Sequence, residues 1–134
     1  MTYAAPSERN DPATTLKDQH WQIRQYIDLV ASADPQDRRD TFEQFASTLE
    51  AHEGYEATAV YPVIADAADD AAAIVDARST EEAAIARQIG ELRTSDAGGS
   101  QWLADFTFLV AELNAHLSAE ENTVLPMLEK IANT

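Results

Sequence analysis

The stretch LEAHEGYEATAVYP, Leu49 to Pro62, aligns without gaps on LNAHLSAEENTVLP, Leu113 to Pro126. Leu, Ala, His, Glu, Val and Pro coincide at six of fourteen positions. His52 falls on His116, Glu56 on Glu120 and Pro62 on Pro126. In a chain with three histidines, a repeated H-x3-E-x5-P reads as an internal repeat. Residues i and i+4 share one helix face a turn apart, so an imidazole and a carboxylate at this spacing can grip one ion or a neighbouring pair.

Outward from the repeat, four segments carry a helical period and almost nothing alternates with period two. The first opens at Asp11-Pro12, a cap followed by proline at the first helical position, with the stripe Leu16, His20, Ile23, Ile27, Val30. The second is expected to open by the same device at Asp34-Pro35; its stripe is Phe42, Phe45, Leu49, His52, Glu56, then Ala59 and Val63. The fourth follows the connection DAGGS, with Ser100 as its expected cap. It reads Trp102, Phe106, Leu109, Leu113, His116, Glu120, Val124, Met127, Ile131. In the alanine-rich third, Glu82 shares a stripe with Val75 and Ile89, whereas Glu81 aligns with the weaker set Ile74, Ile85 and Gln88. Short polar connections between such segments predict an all-α, up-down-up-down four-helix bundle over 11–134, preceded by a flexible arm over 1–10. Pro62 and Pro126, late in their helices, should each kink or end the helix.

Composition sets the outer bounds. One domain suits 134 residues, and 45% hydrophobic with 25% charged residues is ordinary for a globular chain. There is no cysteine, which excludes disulfide scaffolds, zinc ribbons, iron–sulfur clusters and thiol nucleophiles. The longest apolar run, Ala71 to Val75, is far below the roughly 20 residues of a bilayer span, and the start MTYAAPSERN lacks the pattern of a secretory signal. These features lead to the expectation of a cytoplasmic protein. Twenty-four acids against nine basic residues give a formal net charge of −15, which repels phosphate backbones and anionic lipids. Nucleic-acid and membrane partners are therefore not expected. Most of the acids read as a solvated face.

A few acids fall on apolar stripes instead. A carboxylate in a core is costly unless it is neutralised, paired or bound to a cation. Four helices each direct donors inward: His20; His52 and Glu56; Glu82; His116 and Glu120. Three nitrogens and three carboxylates suit iron or manganese better than calcium or copper(I). Ferritin-like oxidases use Glu-x2-His, the wrong spacing. No nucleophile elbow and no glycine-rich phosphate loop occurs.

On the stretches LKDQHWQI, HEGYEATAVYP and HLSAEENTVLP, about residues 12 to 131, the chain resembles the hemerythrin-like, HHE cation-binding family. The resemblance implies that His20, His52 and His116 supply nitrogen. It also implies that Glu56 and Glu120 bridge two iron ions, with an oxo or hydroxo bridge between them. A family member usually carries histidine near residues 81 and 82; this chain reads Glu81-Glu82, with Glu82 the expected oxygen ligand. Exchanging a neutral imidazole for an anionic carboxylate favours ferric iron, hence peroxide or oxidative chemistry over reversible oxygen carriage. Tyr55, with Tyr26 and Tyr61, is a further phenolate candidate, though packing with the hydroxyl at the rim is the expectation. Glu53 and Glu121 are expected to be exposed. The implied function is a di-iron protein that binds or processes dioxygen, peroxide or nitric oxide, or senses iron; the donor set leaves turnover open. Two other readings compete: a mononuclear zinc enzyme resembling the DinB-like proteins, which carry H-x3-H on the last helix, and a metal-free helical interaction module.

Overall fold

The computed structural model describes residues 11–132, and these are all helix and short connection. The expected arm over 1–10 lies outside the described residues. Helix α1 spans Pro12–Ser32, α2 Arg38–Tyr55, a π-helical turn Glu56–Val60, α3 Tyr61–Ala67, α4 Ala71–Thr94, α5 Ser100–Asn122 and α6 Val124–Ala132. These make four arms: α1; α2 through the π turn into α3; α4; and α5 followed by α6. Each arm packs on its neighbours around the ring α1, α2, α4, α5, so the expected four-helix bundle is the fold. No helix among the described residues is long and apolar enough to cross a membrane.

The helix starts follow local chemistry with two corrections. Asp11 caps α1 as expected, its carboxylate accepting from the Thr14 amide at 3.2 Å. Asp34-Pro35 opens a turn instead, and α2 begins only after Asp37. Gly99, not Ser100, takes the cap position of α5, and Ser100 is its first helical residue. The connections are pinned by arginine: Arg39 donates to the Leu92, Arg93 and Ser95 carbonyls, and buried Arg38 donates to the Ala97 carbonyl. These bonds satisfy carbonyls that a helix end leaves unpaired.

Both prolines displace the helix that contains them. Proline has no N–H and its ring crowds the carbonyl four residues back. In the second arm the chain responds with the π turn, in which the Tyr61 N–H donates to the Glu56 carbonyl, five residues back. Val60 absorbs the distortion at φ −113°, ψ −59°. In the fourth arm Thr123 does so at φ −121°, ψ −57°, three residues before Pro126, and α6 resumes at once. The extra residue in the π turn shifts the buried stripe. It continues from Glu56 to Val60 and Ile64, rather than to the expected Ala59 and Val63, and Val63 is exposed. In the fourth arm the stripe ends on Val124 and Leu128, with Met127 and Ile131 half-buried.

The core divides into two apolar clusters. At one end Phe42, Phe45, Trp102 and Phe106 interlock: Phe42 meets Trp102 edge-on at 5.2 Å, and Trp102 stacks on Phe106 at 5.4 Å. Such pairs each add about 0.5–1.5 kcal/mol beyond the area they bury. At the other end Leu16, Val60, Ile64, Val124 and Leu128 form a smaller aliphatic cluster. Between the two lies a buried polar layer.

Candidate metal centre

The polar layer consists of the side chains that the apolar stripes could not account for. His20 comes from α1, His52 from α2, Glu56 from the π turn, Glu82 from α4, and His116 and Glu120 from α5. Five of the six are at most 3% exposed, and Glu82 is 14% exposed. Their ligand atoms form two groups in which all lie within 4.8 Å of one another. The first is His20, His52, Glu56 and Glu120; the second is Glu56, Glu82, His116 and Glu120. Glu56 and Glu120 belong to both.

Three residues around this layer fix the histidine rings. The His20 Nδ1–H donates to Glu121 at 2.7 Å, and Arg24 holds that carboxylate at 2.7 Å. The His116 Nδ1–H donates to Glu81 at 2.8 Å, and Arg78 holds Glu81 at 2.8 Å. The His52 Nδ1–H donates to the neutral Gln19 amide oxygen at 2.7 Å. All three rings thus turn Nε2 toward the centre, as orienting partners of metal-binding histidines do.

The inward contacts are uneven. Glu120 is the hub. Its Oε1 lies 2.9 Å from His20 Nε2 and 3.3 Å from His52 Nε2, and its Oε2 accepts from the Tyr61 hydroxyl at 2.9 Å. Glu56 is the opposite: both carboxylate oxygens are buried without a hydrogen-bond partner, although His52 Nε2 stands 3.3 Å away. His116 Nε2 is also unpartnered, 3.3 Å from Glu120 and 3.4 Å from Glu82.

Charge follows from these contacts. Burial opposes ionisation of Glu120, but the nearby imidazoles of His116, His20 and His52 outweigh it and hold the carboxyl far below its usual range. Burial pushes Glu56 strongly up, and the carboxylates of Glu120 and Glu82 push the same way. Burial opposes the charge on His116, yet Glu120 and Glu82 together raise it to about 10. For His52 burial prevails and lowers it. Buried polar atoms without partners are rare in native proteins. Here they converge from separate elements with nitrogen and oxygen donors, so the layer fits a cation that the chain itself does not supply.

Glu82 faces the centre, as its stripe implied, while Glu81 backs the His116 ring from the rim. Tyr61 reaches the site: its hydroxyl donates to Glu82 at 2.7 Å as well as to Glu120. Tyr55 packs half-buried on the aliphatic cluster and Tyr26 on the aromatic one. Glu53, expected to be exposed, is half-buried with Oε2 unpartnered, and burial raises it to about 8. Glu121, expected to be solvated, holds His20. The signal for the orienting groups lay in sequence doublets: Gln19-His20, Glu81-Glu82 and Glu120-Glu121. Adjacent helical residues point about 100° apart, so one member enters the centre and the other reaches a neighbouring helix.

A helical bundle that gathers imidazoles and carboxylates from all four arms into a buried layer is a cation-binding domain. Residues 11–128 match the hemerythrin HHE cation-binding domain, and the chain belongs to that family. No curated protein and no solved structure matches it.

Proposed function

We propose that this protein is a cytoplasmic non-haem di-iron protein whose single bundle over 11–134 binds or processes a small oxidant or gas, namely dioxygen, peroxide or nitric oxide. In this reading His20 and His52 would hold one iron, Glu82 and His116 would hold the other, and Glu56 and Glu120, common to both donor groups, would serve both. The observation that carries it is Glu56, fully buried, shared by both donor groups, and with neither oxygen hydrogen-bonded. A metal-free interaction module would bury that carboxyl, and His116 Nε2 beside it, with no geometric hydrogen bond to offset the cost. A single zinc ion would leave one of the two overlapping groups unused.

Bound iron would supply redox chemistry toward the small ligand. The chain's own residues orient and insulate. Gln19, Glu81 and Glu121 fix the imidazole rings, and Tyr61 presents a phenol proton between Glu82 and Glu120. The aromatic and aliphatic clusters keep water from the layer on both sides. With Glu82 where the family usually has histidine, the donor set is more anionic and favours the ferric state. Peroxide consumption or irreversible oxidation therefore fits better than reversible oxygen carriage, and a net charge of −15 sets the surface against nucleic acid.

Anaerobic reconstitution with iron(II), then air, then peroxide, tests this. The expected result is two irons per chain and a visible ligand-to-metal band, both lost in His52→Ala and His116→Ala. A stable, reversibly oxygenated ferrous protein would overturn the peroxide preference. Absence of iron uptake would overturn the di-iron reading.

A further inference from the structure

The two donor groups share Glu56 and Glu120 but differ in everything else. His20 and His52 complete the first, giving two imidazoles and two carboxylates. Glu82 and His116 complete the second, giving one imidazole and three carboxylates, with the Tyr61 hydroxyl 2.7 Å from Glu82. Their surroundings differ in the same sense. All three histidines are buried, His20 and His52 with ring centroids 5.0 Å apart, and the one partly open donor is Glu82 of the second group, 14% exposed. The second stands behind a cavity of about 230 Å³ between α4 and α5, lined by Glu81, Ala84, Ala115 and His116 among others. Alanines at 84 and 115 line that seam beside the His116 ring.

Ligand type sorts metals. Imidazole suits iron(II) and zinc(II), whereas carboxylate and water suit manganese(II) and magnesium(II). We propose that the two groups are unequal metal positions: His20, His52, Glu56 and Glu120 hold a borderline-soft divalent ion firmly, and Glu56, Glu82, His116 and Glu120 form the exchangeable position, which accepts manganese(II). Of the unpartnered atoms, the Glu56 oxygens are shared by both positions, whereas His116 Nε2 belongs to the second alone and gives it a vacant nitrogen donor of its own. This inference rests on the dinuclear reading above and deepens it, since the protein would then accept a mixed-metal pair.

The test is an anaerobic titration of the full chain, stripped with chelator, by zinc(II) and then manganese(II). Metal content and the manganese paramagnetic resonance signal are the readouts. The first zinc is expected to bind about tenfold or more tightly than the second. Zinc followed by manganese then gives one of each per chain, and a brief chelator pulse removes manganese first. Glu82→Gln is expected to lose manganese and keep the first zinc, which also reports that the variant is folded. Glu82→His is expected to weaken manganese about tenfold relative to zinc, because the position then gains an imidazole. Statistical mixtures of two-zinc, two-manganese and mixed chains would overturn the inequality and leave the dinuclear site standing. Uptake of one metal only, of either kind, would overturn both.

Discussion

Glu56 and Glu120 hold the same place in two copies of one motif, and both are completely buried. Their chemistry is nevertheless opposite. Glu120 gathers His20, His52 and Tyr61 and is held ionised; Glu56 has no hydrogen-bond partner and is driven toward its protonated form. The repeat sets where each carboxylate stands. The imidazoles that converge on one carboxylate from α1, α2 and α5, and the tyrosine present in one copy only, decide its charge. Tyr61 aligns with Leu125, so the phenol donor has no counterpart in the second copy.

The comparison breaks most visibly on substitution. In the metal-free protein Glu120→Gln should cost about 3–5 kcal/mol, because it removes the buried charge on which His20, His52 and His116 converge. Glu56→Gln should change metal-free stability by less than about 1 kcal/mol, since it replaces a carboxyl that is already neutral. Both should lose metal. Denaturant unfolding in chelator, paired with iron content, checks this; equal destabilisation by the two would show that the copies are chemically equivalent.

The pH dependence of the metal-free protein is the next measure. Glu53, Glu56 and His116 all have folded-state pKa values above their unfolded ones, so the folded chain binds more protons. Glu53 and Glu56 contribute falling stability as pH rises above 4.5, Glu53 through about 8, and His116 contributes it from 6.5 through about 10. Stability without metal should therefore decline between pH 6.5 and 8. Metal should reverse the slope, because binding displaces those protons. Thermal melts at both ends of that window, with and without iron(II), decide the sign.

Tyr61→Phe removes the donor to Glu82 and Glu120 together and should cost about 1–3 kcal/mol. Leu125→Phe, at the matching position, should leave iron uptake unchanged. The smallest effects belong to the prolines. Pro62→Ala and Pro126→Ala should each shift stability by about 1 kcal/mol or less, since the backbone already bends away from both rings. Only the first should weaken iron binding, by relaxing the turn that aims Tyr61; iron titration of the two variants makes the comparison.

Much of this was legible in the sequence. The apolar stripes from Leu16 to Val30 and from Phe42 to Leu49 are buried as their spacing implied, and all three histidines face the interior. The H-x3-E repeat pointed to the centre because a buried acid needs a physical reason. The turn after Asp34 and the π turn were hidden: a strong cap signal does not say whether helix or turn follows, and proline does not say which residue upstream will yield. The orienting groups were hidden for another reason. Glu81, Glu121 and Gln19 lie off the apolar stripes, and solvated acids have the same appearance in a chain this acidic.

The four interlocked rings of Phe42, Phe45, Trp102 and Phe106 lie at the opposite end from the π turn and α6. The bundle therefore has an aromatic base and an opposite, aliphatic end at which two of its helices are interrupted. Amides near the base should exchange with solvent only when the whole chain opens, whereas those around Glu56–Val60 and after Thr123 should exchange by local opening. Opening at the interrupted end would then leave the aromatic base, and with it the fold, in place.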